Sequence, residues 1–167
     1  TVKDMWQLDM SDIDGGWVHC AGSVTPWNTH LASEEYEPNA RNTTPSSSMV
    51  AYLGGNDADW NPYFYGWPIE IAVDATKTIP DSELTKHYSI GRLAYELEYV
   101  MPDQKTVYLT DDGTNVGLYM FLADKEGDLS AGTMYAMKWN QTSAEGMGAA
   151  DLTWINLGHA TSAEIEP

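Results

Sequence analysis

The sequence is poor in cationic side chains, in cysteine, in histidine and in long apolar runs. Its 167 residues hold 8 Lys and Arg against 25 Asp and Glu, a formal net charge of −17. No basic patch can form to neutralise phosphates, so nucleic acid is excluded as a partner, and an anionic membrane surface is disfavoured for the same reason. No apolar run reaches the length of about 20 residues that a spanning helix needs, so membrane insertion is not expected. No signal-peptide pattern is present. The chain starts at Thr1 and not at Met, which reads as a processed product or a piece of something longer. The single cysteine, Cys20, cannot close an internal disulfide, so it says nothing of redox compartment. His30, His87 and His159 show no metal-ligand spacing of the HExxH kind, so zinc is not expected.

What is there is enough for one domain over residues 1–167: 43% of the residues are hydrophobic, and a core can form. The excess acid has two compatible readings. One is a solvated surface. The other is a site for hard cations, since calcium takes about six to eight oxygen ligands and favours carboxylates. Asn42-Thr43-Thr44 and Asn140-Gln141-Thr142 match the glycosylation acceptor pattern, which also arises by chance.

The chain reads as all-β. Residues 94–139 are the clearest part: strands at 94–101, 106–110, 116–123 and 133–139, with turns at 102–105 and 111–115 and a longer polar loop at 124–132. Four strands joined by short connections form an antiparallel meander the size of one β-propeller blade, with a sandwich sheet as the alternative. Upstream, strands are expected at 16–22, 28–35, 48–55 and 66–74, and a short helix within 75–90 starting at Pro80-Asp81. Residues 140–151 read as flexible and 152–158 as a further strand. These strands make only about two to two and a half blades, at roughly 40–45 residues per blade. Such an array cannot close on itself, so the remaining propeller segments of the same protein are the expected partner.

Candidate chemistry lies in acids and in Cys20. Glu34 and Glu35 end a strand, where alternation turns one inward and one outward. Glu70 lies inside an apolar strand, where a carboxylate is rarely buried unpaired. Glu96 and the pair Asp111-Asp112 sit in or at the end of other strands. Each acid alone is most simply a solvated face. Acids gathered at one rim of a meander repel each other unless cations fill the gap. Cys20, among small residues, reads either as a buried inert side chain, as a nucleophile or as a metal ligand. Adjacent His19 points to the opposite face of a strand and is badly placed as its base. A thiolate beside carboxylates suits iron better than calcium. Seven Trp and ten Tyr fill a β core or line a sugar-binding groove, the loop 60–67 being the aromatic-rich candidate.

Three stretches carry a resemblance. CAGSVTPWNTHLASEE (20–35) resembles the Cys-x-Gly-x-x-Thr-Pro-Trp-Gly-Thr-x-Leu-x-x-Glu-Glu pattern of the PhoX family of secreted alkaline phosphatases. GWPIEIAVD (66–74) looks like that family's Gly-Trp-hydrophobic-hydrophobic-Glu strand, and residues 90–139 are similar to its Gly-Arg-Phe-x-His-Glu segment and the blade that follows. The resemblance implies part of a six-bladed propeller, exported to the periplasm, cell surface or medium of a bacterium, with phosphate monoesters as substrate. It implies a ferric iron and calcium cluster in which Cys20 supplies a thiolate to iron. Glu35 or Glu34, Glu70 and Glu96 would supply carboxylates, and Asp111 and Asp112 follow a strand-end acidic position. It assigns no catalytic residue here, and the family's substrate-gripping arginine and later acidic ligands lie beyond the matched region. Asn28, Ser33, Leu93 and Tyr95 depart from the pattern, where the family has Gly, often Cys, Phe and His. These departures leave two other functions open: a non-catalytic, calcium-stabilised surface propeller, and a carbohydrate-binding module.

Overall fold

A computed structural model describes every residue except 1, 3, 4, 43, 75 and 77–80. The fold is all-β, 46% strand and 14% helix. A four-stranded antiparallel sheet is formed by β1 (His19–Val24), β2 (His30–Glu34), β3 (Ile69–Asp74) and β4 (Asp81–Lys86), in that order. A five-stranded antiparallel sheet follows: β5 (Tyr95–Val100), β6 (Thr106–Asp111), β7 (Leu118–Lys125), β8 (Asp128–Ser143) and β9 (Ala149–Thr161), again in chain order. Short helices α1 (Ser47–Tyr52) and α2 (Ser162–Ile165) complete the regular structure. Two meanders side by side, with no closed barrel among the described residues, are what a partial propeller looks like.

The sheets stack through their first strands. Leu31 of β2 and Ile90 meet Tyr95, Val100, Val107, Leu109, Phe121, Ala123 and Leu129 of the second sheet in one core. Period-two alternation does this: Val107 and Leu109 face inward while Tyr108 between them faces out. Hydrogen bonds cross the seam from Ser23 Oγ to the Glu98 carbonyl (2.7 Å) and from Ser33 Oγ to Glu98 Oε2 (2.6 Å) and the Glu96 carbonyl (3.5 Å). The opposite face of the second sheet is open and apolar. Tyr99, Tyr108, Trp139 and Leu152 are exposed there, with Tyr108 against Trp154 at 6.0 Å.

Four local expectations give way. The stretch 140–151, expected to be flexible, is taken up at both ends by β8 to Ser143 and β9 from Ala149, with Asn140 paired to Asp151. The segment 48–55 is α1 and its exit, not a strand. Met49, Val50 and Leu53 repeat at helical spacing, Leu53 N–H donates to the Met49 carbonyl (2.8 Å), and Gly54 and Gly55 at φ 103° and 89° end the turn. The helix expected to start at Pro80-Asp81 is β4 from Asp81 on, while Pro80 lies outside the described residues. Pairing with β3, from Ile69 opposite Lys86 to Asp74 opposite Asp81, overrides the weak local helix signal. The loop expected at 124–132 is a two-residue turn at Glu126-Gly127 between β7 and β8, with Gly127 taking φ 70°.

Candidate metal centre

Two irregularities aim the site. The β1–β2 register shifts between His19 and Gly22, and Cys20 sits within that bulge. The β5–β6 register shifts between Tyr95 and Leu97, and Glu96 sits within that one. A bulge inserts an unpaired residue and turns its side chain away from the regular alternation. The first strands of the two sheets are neighbours, so the two bulges face the same space. Glu35 enters from the end of β2. The donor atoms of Cys20, Glu35 and Glu96 all lie within 4.8 Å of one another. Asp112, just past β6, is anchored by its N–H to the Ala94 carbonyl (2.8 Å) and adds its charge.

The electrostatics are one-sided. The Cys20 thiol is pushed up to about 11 by its approach to the Glu35 carboxylate, by burial and by the charges of Glu35, Glu96 and Asp112. The Tyr36 phenol lies beside Asp112 and Glu35, and their acceptor oxygens and charge hold its proton well above the ordinary phenol range. The same phenol, with Glu35, draws Asp112 below the usual carboxylate range. Like charges gathered without a cation disfavour their own ionisation. The donor set therefore fits a metal: a bound cation would reverse the penalty on the thiolate and on each carboxylate. Sulfur with oxygen matches iron, and the oxygen donors alone match calcium.

The other expected ligands are engaged elsewhere. Glu34 is fully buried on the opposite face from Glu35. Its Oε1 accepts from Trp17 N–H (2.7 Å), its Oε2 from Gly66 N–H (2.8 Å) and Trp67 N–H (3.0 Å), and Lys86 Nζ stands 3.6 Å away. Gly66 is needed there: at φ 94°, a Cβ would come within 2.6 Å of Glu37. Glu70 accepts from Thr29 Oγ1 and Trp27 Nε1 and pairs with His87 Nε2 at 2.7 Å. Burial pushes its carboxyl up, but the bonds from His87, Thr29 and Trp27 outweigh that and hold it at about 2. Asp111 is half-buried on β6, and burial raises its carboxyl. The structure thus brings together Cys20, Glu35 and Glu96, with Asp112 beside them; Glu34, Glu70 and Asp111 are not in that group. Tyr36 was missed in the sequence, where nothing marks it except its place after Glu35.

The departures from the family pattern are housed without strain at the centre. Asn28 takes φ 68°, the left-handed region that explains a glycine in the pattern and that asparagine tolerates. Tyr95 is fully buried and donates to the Gly91 carbonyl (2.6 Å), so it belongs to the core. Ser33 serves Glu98 across the seam.

Fold and site together define an all-β protein of propeller type, with a thiol and carboxylates converging where two meanders meet. A family model described as alkaline phosphatase PhoX matches residues 2–166. The chain belongs to the PhoX alkaline phosphatase family, whose members are metal-dependent phosphatases. The comparisons with curated proteins and with solved structures each returned no match.

Proposed function

We propose that the protein hydrolyses phosphate monoesters at a metal centre held by Cys20, Glu35 and Glu96, with Asp112 completing it. Cys20 and its nearest carboxylates would hold iron, and the all-oxygen side, towards Asp112, would hold calcium. The observation that carries the reading is the convergence of these donors at two bulges in a chain of this family. When bound, such ions neutralise a phosphate and make an oxygen nucleophile available at alkaline pH. The chain's own part is to keep sulfur and carboxylate oxygens apart from the described lysines and arginines, which would otherwise satisfy them internally. Arg92 illustrates this: its guanidinium is spent on the carbonyls of Tyr65, Pro38 and Pro62, away from the centre. Export from the cytoplasm, to the periplasm or beyond, accords with the family. The open apolar face of the second sheet accords with further blades of the same propeller packing there.

The carbohydrate reading has less support. In loop 60–67, Pro62, Tyr65 and Trp67 are buried, and Trp60 stacks on Tyr65 at 5.5 Å instead of offering a flat platform.

The test is elemental analysis of protein purified without chelator, with turnover of a generic aryl phosphate at alkaline pH, for the wild type and for Cys20→Ala and Glu35→Gln. Iron and calcium are expected in the wild type, with iron lost in both variants and turnover lost with it. Iron and calcium content unchanged in both variants would sink the assignment of these residues. Metal retained without turnover would favour the non-catalytic, calcium-stabilised propeller.

A further inference from the structure

We infer that Trp17 is a positioning residue for the metal centre, acting through a clasp that sets the direction of Glu35. The inference rests on the metal-centre reading above. Trp17 is pinned at both ends. Its backbone N–H donates to buried Glu34 Oε1 (2.7 Å), and its ring Nε1–H donates to the Tyr36 carbonyl (2.8 Å). Its ring packs against the stacked pair Trp60 (6.1 Å) and Tyr65 (5.5 Å), and Tyr65 is itself fully buried. The indole therefore has a rigid seat, and its N–H is aimed.

What it holds is an unfavourable backbone. Tyr36 takes φ 50° and Val18 takes φ 28°, both left-handed, and a β-branched valine there is an outlier. Val18 lies across from Glu35 at the open end of the β1–β2 pair, where Glu35 N–H donates to the Val18 carbonyl (2.9 Å), and Tyr36 follows directly. Strain of this kind persists only where surrounding contacts over-determine it, and it gathers at functional sites. The consequence is directional. A strand continued regularly past Glu34 would carry residues 35 and 36 onward along β2. The left-handed turn at Tyr36 instead ends the strand at once, leaving Glu35 beside Cys20 and Glu96 and the Tyr36 phenol beside Asp112. Glu34 thus holds Trp17, Trp17 holds Tyr36, and Tyr36 holds the turn that presents Glu35. None of Glu34, Trp17 and the Tyr36 carbonyl needs to touch the metal.

The experiment uses Co2+ alone as an optical probe, titrated into the metal-free protein while thiolate-to-cobalt absorption is followed. Cys20→Ala is the control in which that band is absent. Trp17→Phe keeps a ring against Trp60 and Tyr65 but has no N–H. It is expected to weaken Co2+ binding about tenfold or more, the scale of groups that orient ligands without touching the metal. Adding Val18→Gly, which removes the β-branched penalty at φ 28° without touching the donor cluster, is expected to recover most of that loss. A Trp17→Phe protein that melts lower but binds Co2+ like the wild type would show a purely structural tryptophan and overturn the clasp. So would a double variant no better than Trp17→Phe alone. A wild type with no thiolate band at all would overturn the metal centre itself, a result distinct from either of these.

Discussion

Glu34 and Glu35 are neighbours in sequence and opposites in surroundings. Glu34 is sealed in a pocket where three backbone N–H groups and Lys86 meet its two oxygens. Glu35 stands in a cluster whose other members are a thiol and carboxylates. The Glu34 pocket is closed chemistry: a buried charge is tolerated because protein groups satisfy it. The Glu35 cluster is open chemistry: the Cys20 thiol and the Tyr36 phenol meet its carboxylates, but no cationic side chain among the described residues balances their charge. Compensation, more than residue type, separates a structural acid from a ligand.

The largest expected effect tests the closed side. Glu34→Ala leaves Lys86 buried without its carboxylate and frees the Trp17, Gly66 and Trp67 N–H groups. Breaking one half of a buried pair costs about 3–5 kcal/mol, so urea unfolding should shift by that order. Lys86 keeps the Phe64 carbonyl at 2.6 Å, the Tyr65 ring at 4.9 Å and the charge of Asp14, and burial lowers its ammonium pKa already. A loss below about 1 kcal/mol, the range of exposed pairs, would erase the contrast between the two glutamates.

A smaller effect sharpens the contrast with a third acid. Glu98 is fully buried at the seam between the sheets, with Ser33 Oγ on Oε2 and no partner on Oε1 among the described residues. Burial pushes its carboxyl up to about 7, partly opposed by the Ser33 bond. The folded state therefore binds its proton more tightly than the unfolded state does. Stability from this group is whole below the unfolded value of 4.5 and is lost as pH rises from there through about 7. The loss is on the order of 3 kcal/mol across that window. Glu70, held at about 2, runs the other way: its contribution is present above the unfolded value of 4.5 and is lost as pH falls towards 2. Melting temperature recorded against pH should fall from about pH 5 to 7 in the wild type and stay flatter in Glu98→Gln. Identical slopes in the two proteins would remove Glu98 as the cause.

The smallest effect concerns the β1–β2 turn. Asn28→Gly replaces a residue that tolerates φ 68° with one that adopts it at no steric cost but is freer in the unfolded chain, so the relief of folded-state strain and the entropy cost nearly offset. Stability should move by less than about 1 kcal/mol, with metal uptake unchanged. A large loss of metal uptake would mean that this turn, far from the clasp, also aims Cys20.

Much of the fold was legible. Alternation at 94–101, 106–110 and 116–123 marked three strands within a residue or two of β5, β6 and β7. Failures came where a signal was short. Met49, Val50 and Leu53 fit either period, and the tie was broken by Gly54 and Gly55. Ser82, Leu84 and Lys86 turn inward because β3 lies alongside, which no local propensity reports. At the site, the thiol and the acids could be named as candidates from chemistry alone. Which of them meet could not, because Cys20 and Glu96 sit on bulges and a bulge is a property of a pair of strands.

The sequence by itself determined an acidic, all-β chain, the family it belongs to, and a short set of candidate metal ligands. Those follow from composition, from a period of two and from ordered motifs, all of which are local. Only the tertiary structure decided that Glu35 and Glu96 join Cys20 while Glu34 turns to Gly66, 32 residues away, and Glu70 turns to His87. Side-chain direction in a strand follows alternation until a partner strand shifts register. A carboxylate's role depends on which donors the rest of the chain brings to it.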